Sequence, residues 1–171
     1  MVQVVDNFLS ERDLTKLIDV IFSENFLWGW IDSVAYGEND PNFEKRKENL
    51  IYLCHTLYKN PIMVSPMYEF ISDIFNNMNK NMKVKSLLRI KVNCYPQSHK
   101  LEEHGIHQDY KYSHKGALLS LNTCDGYTRF ETGEKVESVK NRMIYFDPYI
   151  KHTSTNTTNA VRRVNINFNY F

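Results

Sequence analysis

At 171 residues the chain has room for one domain with a hydrophobic core and too little for two of ordinary size. Hydrophobic residues at 42% and charged residues at 24% are globular proportions, and no apolar run approaches the roughly 20 residues that cross a bilayer. The formal charge of +1 provides no bulk attraction to phosphate or anionic lipid, so neither a nucleic-acid track nor a membrane partner is expected.

The opening "MVQVVDNFLSERDL" lacks a basic segment, an apolar block and a small-residue cleavage site, so a cytoplasmic address is expected. The first helix follows it. Ser10 can cap it with Asp13 three residues on, and Leu14, Leu17, Ile18, Ile21 and Phe22 repeat at helical spacing. A second helix is predicted at "SPMYEF", with Ser65 as cap, Pro66 as first helical residue, and Met67, Phe70, Ile71, Ile74, Phe75 and Met78 as its buried face. Residues 28 to 60 between them, rich in Trp, Gly and charge, have no clear periodicity. Cys54, Cys94 and Cys124 are odd in number and have no CxxC pair, which fits reduced buried thiols.

After residue 84 the period changes from helical to alternating. In "KSLLRIKVNCYP", Leu88, Ile90, Val92 and Cys94 share one face and Arg89, Lys91, Asn93 and Tyr95 the other. Further strands are predicted at 116 to 121, 126 to 130, 134 to 139, 141 to 146 and 162 to 170, separated by the turn-prone "NTCDG", "ETGE" and "FDPY". Helices first and short strands later argue for a mainly β fold, an antiparallel sandwich or barrel buttressed by helices on one side. No linker or repeat divides the chain, so 1–171 reads as a single domain, with 1–83 as helical support and 84–171 as barrel core.

Within the barrel half, "HGIHQDY" spends two of the chain's 6 histidines. His107 and Asp109 are two apart, so on an extended segment an imidazole nitrogen and a carboxylate oxygen leave from the same face toward one metal ion. His152, following "NRMIYF" and the turn "DPYIK", can be delivered to the same end by an adjacent antiparallel strand. Two histidines and one carboxylate leave three positions of an octahedron open, which suits ferrous iron binding a cosubstrate and dioxygen. Arg162 opens the last strand on the face of Val164, Ile166 and Phe168. A cation there needs an anion, and its guanidinium is shaped to grip a carboxylate. Arg163 would serve instead if the register moved by one residue.

The order "YP" (95 to 96), "HQD" (107 to 109), "GYTRFE" (126 to 131), "NRMIYF" (141 to 146), His152 and Arg162 resembles the iron(II)- and 2-oxoglutarate-dependent dioxygenases, in particular their prolyl 4-hydroxylase-like branch. The likeness covers residues 84 to 171. It implies a double-stranded β-helix, a cupin-like jelly-roll barrel, with His107, Asp109 and His152 as catalytic metal ligands for Fe(II). It also implies that Arg162 pairs with the far carboxylate of 2-oxoglutarate, that Tyr95 hydrogen-bonds the cosubstrate, that Thr128 lines the barrel beside it, and that ascorbate serves as an accessory. Where some members carry a second tyrosine, this chain has Ser120, so contacts to the cosubstrate would differ.

What the resemblance implies chemically is hydroxylation of an unactivated C–H bond with release of succinate and carbon dioxide. Asp109 occupies the position a halide would need for halogenation. The expected partner is a peptide or small-molecule substrate, with a prolyl residue favoured and a free amino acid, another metabolite or a nucleobase as alternatives. A non-catalytic barrel that binds a metal and an organic acid, or a structural module with incidental histidines, would share the same strands. Specificity is expected from Trp28, Trp30, Tyr36 and Phe43 as an aromatic lid and from the loop "QSHKLEEHG". His104 is expected to face solvent or substrate, and His55, His99 and His114 to be background. Oligomeric state is not encoded in any of these features.

Overall fold

The computed structural model describes residues 2–32, 51–147 and 149–171. Tyr36 and Phe43 of the expected lid lie outside them. The described elements, in chain order, are β1 (Gln3–Val5), α1 (Glu11–Ile21), β2 (Gly29–Ile31), β3 (Tyr52–Lys59), β4 (Ile62–Met63), α2 (Met67–Met82), β5 (Leu87–Pro96), β6 (Lys115–Ser120), β7 (Tyr127–Phe130), β8 (Lys135–Glu137), β9 (Arg142–Phe146), β10 (His152–Ser154) and β11 (Arg162–Tyr170).

Both helices form where the periodicity puts them. The Ser10 hydroxyl accepts the Asp13 N–H at 3.2 Å, satisfying one orphan donor of the first turn of α1. At α2 the boundary moves by one residue: Pro66 is the cap, and the Ser65 hydroxyl accepts the N–H of Met67 at 3.1 Å. Ile71, Ile74, Phe75 and Met78 are buried as expected, but Phe70 is exposed. It lies at the edge of the buried stripe, about 100° round the helix from Ile71.

Eight strands form one antiparallel sheet in the order β1-β9-β6-β11-β5-β3-β2, with β4 paired to β3, and three form a smaller sheet in the order β10-β7-β8. The first half of the chain, expected as helical support, thus also supplies four strands to the large sheet. β3 pairs along β5, and β1 covers the outer side of β9. Residues 28 to 60 concealed β2 and β3 because β3, "YLCHTLYK", mixes apolar and polar residues without strict alternation.

The main core lies outside the barrel. Ile90, Val92 and Cys94 of β5, Ala117 and Leu119 of β6 and Val164, Ile166 and Phe168 of β11 pack against Leu14, Leu17 and Ile21 of α1 and Ile71, Ile74, Phe75 and Met78 of α2. Phe75 meets Phe168 edge-on, with ring centroids 5.6 Å apart. A smaller cluster of Leu118, Phe130, Val136, Ile144 and Phe146 joins the two sheets. The opposite face of β5 and β11 therefore points into the barrel, and it is polar. Among the described residues no helix is long and apolar enough to cross a membrane.

Candidate metal centre and its anion pocket

The HxD segment is extended but irregular, held by isolated antiparallel bridges from Glu103 to Thr155 and from His107 to His152. His107 and His152 exchange both backbone hydrogen bonds, each 2.9 Å. Directly opposed residues on neighbouring strands project to the same side, and the imidazole centroids are 4.7 Å apart. Asp109, two positions on, completes the group, and one ligand atom from each of His107, Asp109 and His152 lies within 4.8 Å of the others.

Hydrogen bonds orient each of these side chains. Nδ1 of His107 meets the Gly105 carbonyl at 3.1 Å, and Nδ1 of His152 meets the Ile150 carbonyl at 3.1 Å. A carbonyl only accepts, so Nδ1 carries the proton in both rings and Nε2 offers its lone pair. Asp109 Oδ1 accepts from Arg89 Nη2 at 3.0 Å, and Oδ2 accepts from Asn169 at 2.9 Å and Asn167 at 3.2 Å. Three donors occupy three of about four lone-pair directions and leave one for a cation.

The electrostatics favour the ligating protonation states. Burial, reinforced by the neighbouring His152, lowers the His107 pKa to about 4. Burial alone would raise the Asp109 carboxyl, but the Arg89 charge, the two histidines and the Asn169 hydrogen bond outweigh it and hold the group below the usual carboxylate range. A neutral imidazole and an ionised carboxylate are what a divalent ion requires.

Deeper in the barrel, Arg163, not Arg162, is the internal arginine, and the expectation for Arg162 is corrected here. β11 pairs Arg163 with Tyr95, and its side chain is 1% exposed. Arg162 is on the outside with its guanidinium 4.6 Å from the Phe22 ring centroid. The neighbours assigned to Arg162, namely Val164, Ile166 and Phe168, face the helices, because the apolar face of this sheet packs outward. Arg163 donates from Nη1 to the Thr155 carbonyl and from Nη2 to the Thr128 hydroxyl, both at 3.0 Å, and lies 5.4 Å from the Tyr95 ring centroid. No carboxylate pairs with it among the described residues, and burial pushes its pKa down.

Tyr95 and Thr128 are beside the guanidinium, both buried. His104 departs from expectation. It is 5% exposed, stacked on Tyr95 at 5.0 Å, with Nδ1 2.7 Å from the Ser154 hydroxyl; burial and the nearby Arg163 lower its pKa to about 3. Its neighbours are neutral aromatic and hydroxyl groups plus a cation, so a second charge there is disfavoured. His114, also read as background, is buried, and its Nε2 is 3.2 Å from the Asn169 amide.

The interior contains polar atoms with no partner among the described residues. They are Arg163 Nε, His104 Nε2, Asn93 Oδ1, Asn165 Nδ2 and Ser120 Oγ. Buried polar groups are rarely left unmet, and five from one barrel interior mark a space built for a polar guest. A cavity of about 170 Å³ opens from the triad past Tyr95 and Thr128. The residues present thus fit both a divalent ion at His107, Asp109 and His152 and an organic anion at Arg163. Sequence reasoning missed Arg89, Lys91, Asn93 and Asn167 as lining, and Asn165 and Asn169 as their buried neighbours. The signal was in "RRVNINFNY", where every second residue after Arg163 is asparagine, a pattern that an apolar core face would not carry.

The expected specificity elements are separated. Trp28 packs against Phe26, with centroids 4.8 Å apart, while Trp30 is exposed. Gln97, Ser98, His99, Lys100 and Glu102 border a separate groove of about 760 Å³.

No protein-family model matches the chain, and no curated protein matches it by sequence. Solved structures do match in shape. A 2OG-Fe(II) oxygenase family oxidoreductase from Burkholderia pseudomallei superposes with a TM-score of 0.70 at 10% identity, covering 99% of this chain and 84% of its own. A prolyl hydroxylase from Trichoplax adhaerens, in complex with a hypoxia inducible factor oxygen degradation domain peptide fragment, gives 0.65 at 13% identity over 99% and 83%. A prolyl-4-hydroxylase from Pseudomonas putida gives 0.59 at 12% identity over 99% and 91%. The chain therefore has the mainly β, antiparallel jelly-roll fold of the 2OG-Fe(II) oxygenases and prolyl hydroxylases it resembles.

Proposed function

We propose that this chain is an iron(II)- and 2-oxoglutarate-dependent oxygenase that hydroxylates an unactivated C–H bond, with a prolyl residue of a peptide or protein as the favoured substrate. The observation that carries the reading is the placement of His107, Asp109 and His152 with ligand atoms within 4.8 Å of one another at one end of a polar barrel that also buries the Arg163 guanidinium.

In this reading His107 and His152 present Nε2 and Asp109 presents its remaining lone pair to iron(II). Arg163, with Thr128 and Tyr95 at its sides, would hold the distal carboxylate of 2-oxoglutarate. Bound together, iron and 2-oxoglutarate supply the oxidising power, with succinate and carbon dioxide as coproducts. The protein's part is positioning and exclusion of water. The carbonyls of Gly105 and Ile150 keep the imidazoles in one tautomer, Arg89 and the two asparagines keep the carboxylate from turning, and Phe130 and Phe146 wall the His152 side. No side chain has to act as a general acid or base. The prolyl preference is supported by the prolyl hydroxylases among the structures of the same shape. A cytoplasmic location, the single-domain organisation and the use of ascorbate belong to the same proposal.

The experiment is an iron-dependent assay of succinate release across prolyl peptides and free amino acids. Release that requires iron and a prime substrate, and is abolished by His107→Ala, is the expected result. Full turnover by the His107→Ala protein would overturn the assignment.

A further inference from the structure

The cavity beside the triad carries a cation that the proposed reaction does not use. Lys91 lies on the inner face of β5, opposite Asn167 of β11, and lines the cavity together with Arg89, Tyr52 and Asn93. Arg89 is balanced by Asp109 at 3.0 Å. Lys91 has no carboxylate within 4.0 Å among the described residues; its Nζ donates to the Tyr52 hydroxyl at 3.4 Å and lies 5.4 Å from that ring's centroid. Burial and the adjacent Arg89 push the Lys91 pKa down, with Asp109 opposing. A half-buried cation held only by a phenol is costly, so its retention points to a missing anion.

That anion is not the cosubstrate's distal carboxylate. Arg163 pairs with Tyr95 across the sheet and Lys91 is four residues away from Tyr95 along β5, about 13 Å of strand. Filling the site as proposed above does not balance the charge either. Arg89, Lys91, Arg163 and a divalent ion would face only Asp109 and a dicarboxylate, leaving the enclosure positive. In a confined, partly dry space such an imbalance draws in a further anion.

Resting on the oxygenase reading, we propose that the substrate carries a carboxylate that docks on Lys91, within one side chain's length of the C–H bond presented to the metal. Lys91 is then a specificity residue, with Tyr52 as its hydrogen-bonding neighbour. A free acid and an acidic side chain of a peptide share this chemistry.

The test is NMR of protein labelled with ¹³C,¹⁵N-lysine, with the Lys91 ε-methylene signal assigned by its loss in Lys91→Met. Sodium formate is titrated against sodium chloride at equal ionic strength, in metal-free protein and in protein given zinc(II) and N-oxalylglycine. A saturable formate-dependent shift at Lys91, with N-oxalylglycine affinity in Lys91→Met within about threefold of wild type, is expected. A Lys91 signal that formate moves no more than chloride does would overturn the proposal. So would a tenfold or greater loss of N-oxalylglycine affinity in Lys91→Met, because Lys91 would then be gripping the cosubstrate. Failure of the oxygenase reading is separately visible, as zinc(II) and N-oxalylglycine leaving the histidine signals unmoved while formate still reports on Lys91. Displacement of formate by N-acetylproline or by a glutamate-containing prolyl peptide amide, whichever acts at lower concentration, assigns the source of the carboxylate.

Discussion

Gly126 leaves room for Arg163: a Cβ built on it would lie 2.6 Å from the arginine Cδ and 2.7 Å from the Asn156 carbonyl oxygen. The backbone contact cannot yield as a flexible side chain could. Gly126→Ala should therefore push Arg163 off its hydrogen bonds to Thr155 and Thr128 and cost about 1–3 kcal/mol in overpacking. Urea denaturation measures the loss of stability, and isothermal titration with N-oxalylglycine in the presence of manganese(II) measures the loss of the anion site.

Arg163 and Arg162 should behave oppositely on substitution. Truncating a buried charge partner commonly costs about 2–5 kcal/mol of binding, so Arg163→Met should weaken N-oxalylglycine binding by roughly thirtyfold or more. The ligand-free protein should hold or gain thermal stability, since burial disfavours the guanidinium charge and no carboxylate offsets it among the described residues. Arg162→Met, on the outer surface above Phe22, should bind N-oxalylglycine as wild type does. Equal losses in the two variants would contradict the register assigned to the pocket.

Metal should stabilise the fold by mass action. At a free manganese(II) concentration a hundred times its Kd, the gain is about 2.7 kcal/mol. Differential scanning fluorimetry should show a rise in Tm that EDTA reverses and that His107→Ala and His152→Ala both lack. A rise of the same size in either variant would place the ion elsewhere.

At the barrel rim, Glu103 accepts hydrogen bonds from Arg129 and, at 2.8 Å, from the Tyr127 hydroxyl. The Arg129 hydrogen bond, opposed by slight burial, lowers the Glu103 pKa from 4.5 to about 2. A lowered carboxyl pKa contributes stability above the unfolded value and loses it as pH falls through the folded one, so the window runs from about 4.5 down to about 2. Both partners are about one-third exposed, and screening limits the contribution to about 1 kcal/mol. The gap in urea midpoint between wild type and Glu103→Gln should be present at pH 7 and narrow between pH 5 and pH 3. A gap that widens on acidification would refute the pairing.

Local signals in the chain were enough to specify both helices, most barrel strands and the shared direction of His107 and Asp109. Each rests on period, capping or two-residue spacing, properties that act over a few residues. The two faces of β5 were also correctly separated by alternation, with Arg89, Lys91, Asn93 and Tyr95 together.

Only the tertiary structure decided which face points inward. A strand's alternation states that its faces differ but not which one meets the larger apolar partner. Here α1 and α2 supply that partner outside the barrel, so Val164, Ile166 and Phe168 turn outward while Arg163 and the asparagines turn in. The same inversion buries His104 against Tyr95 and brings Lys91 beside the metal ligands. These placements depend on packing between segments far apart in the chain, and no local pattern contains that information.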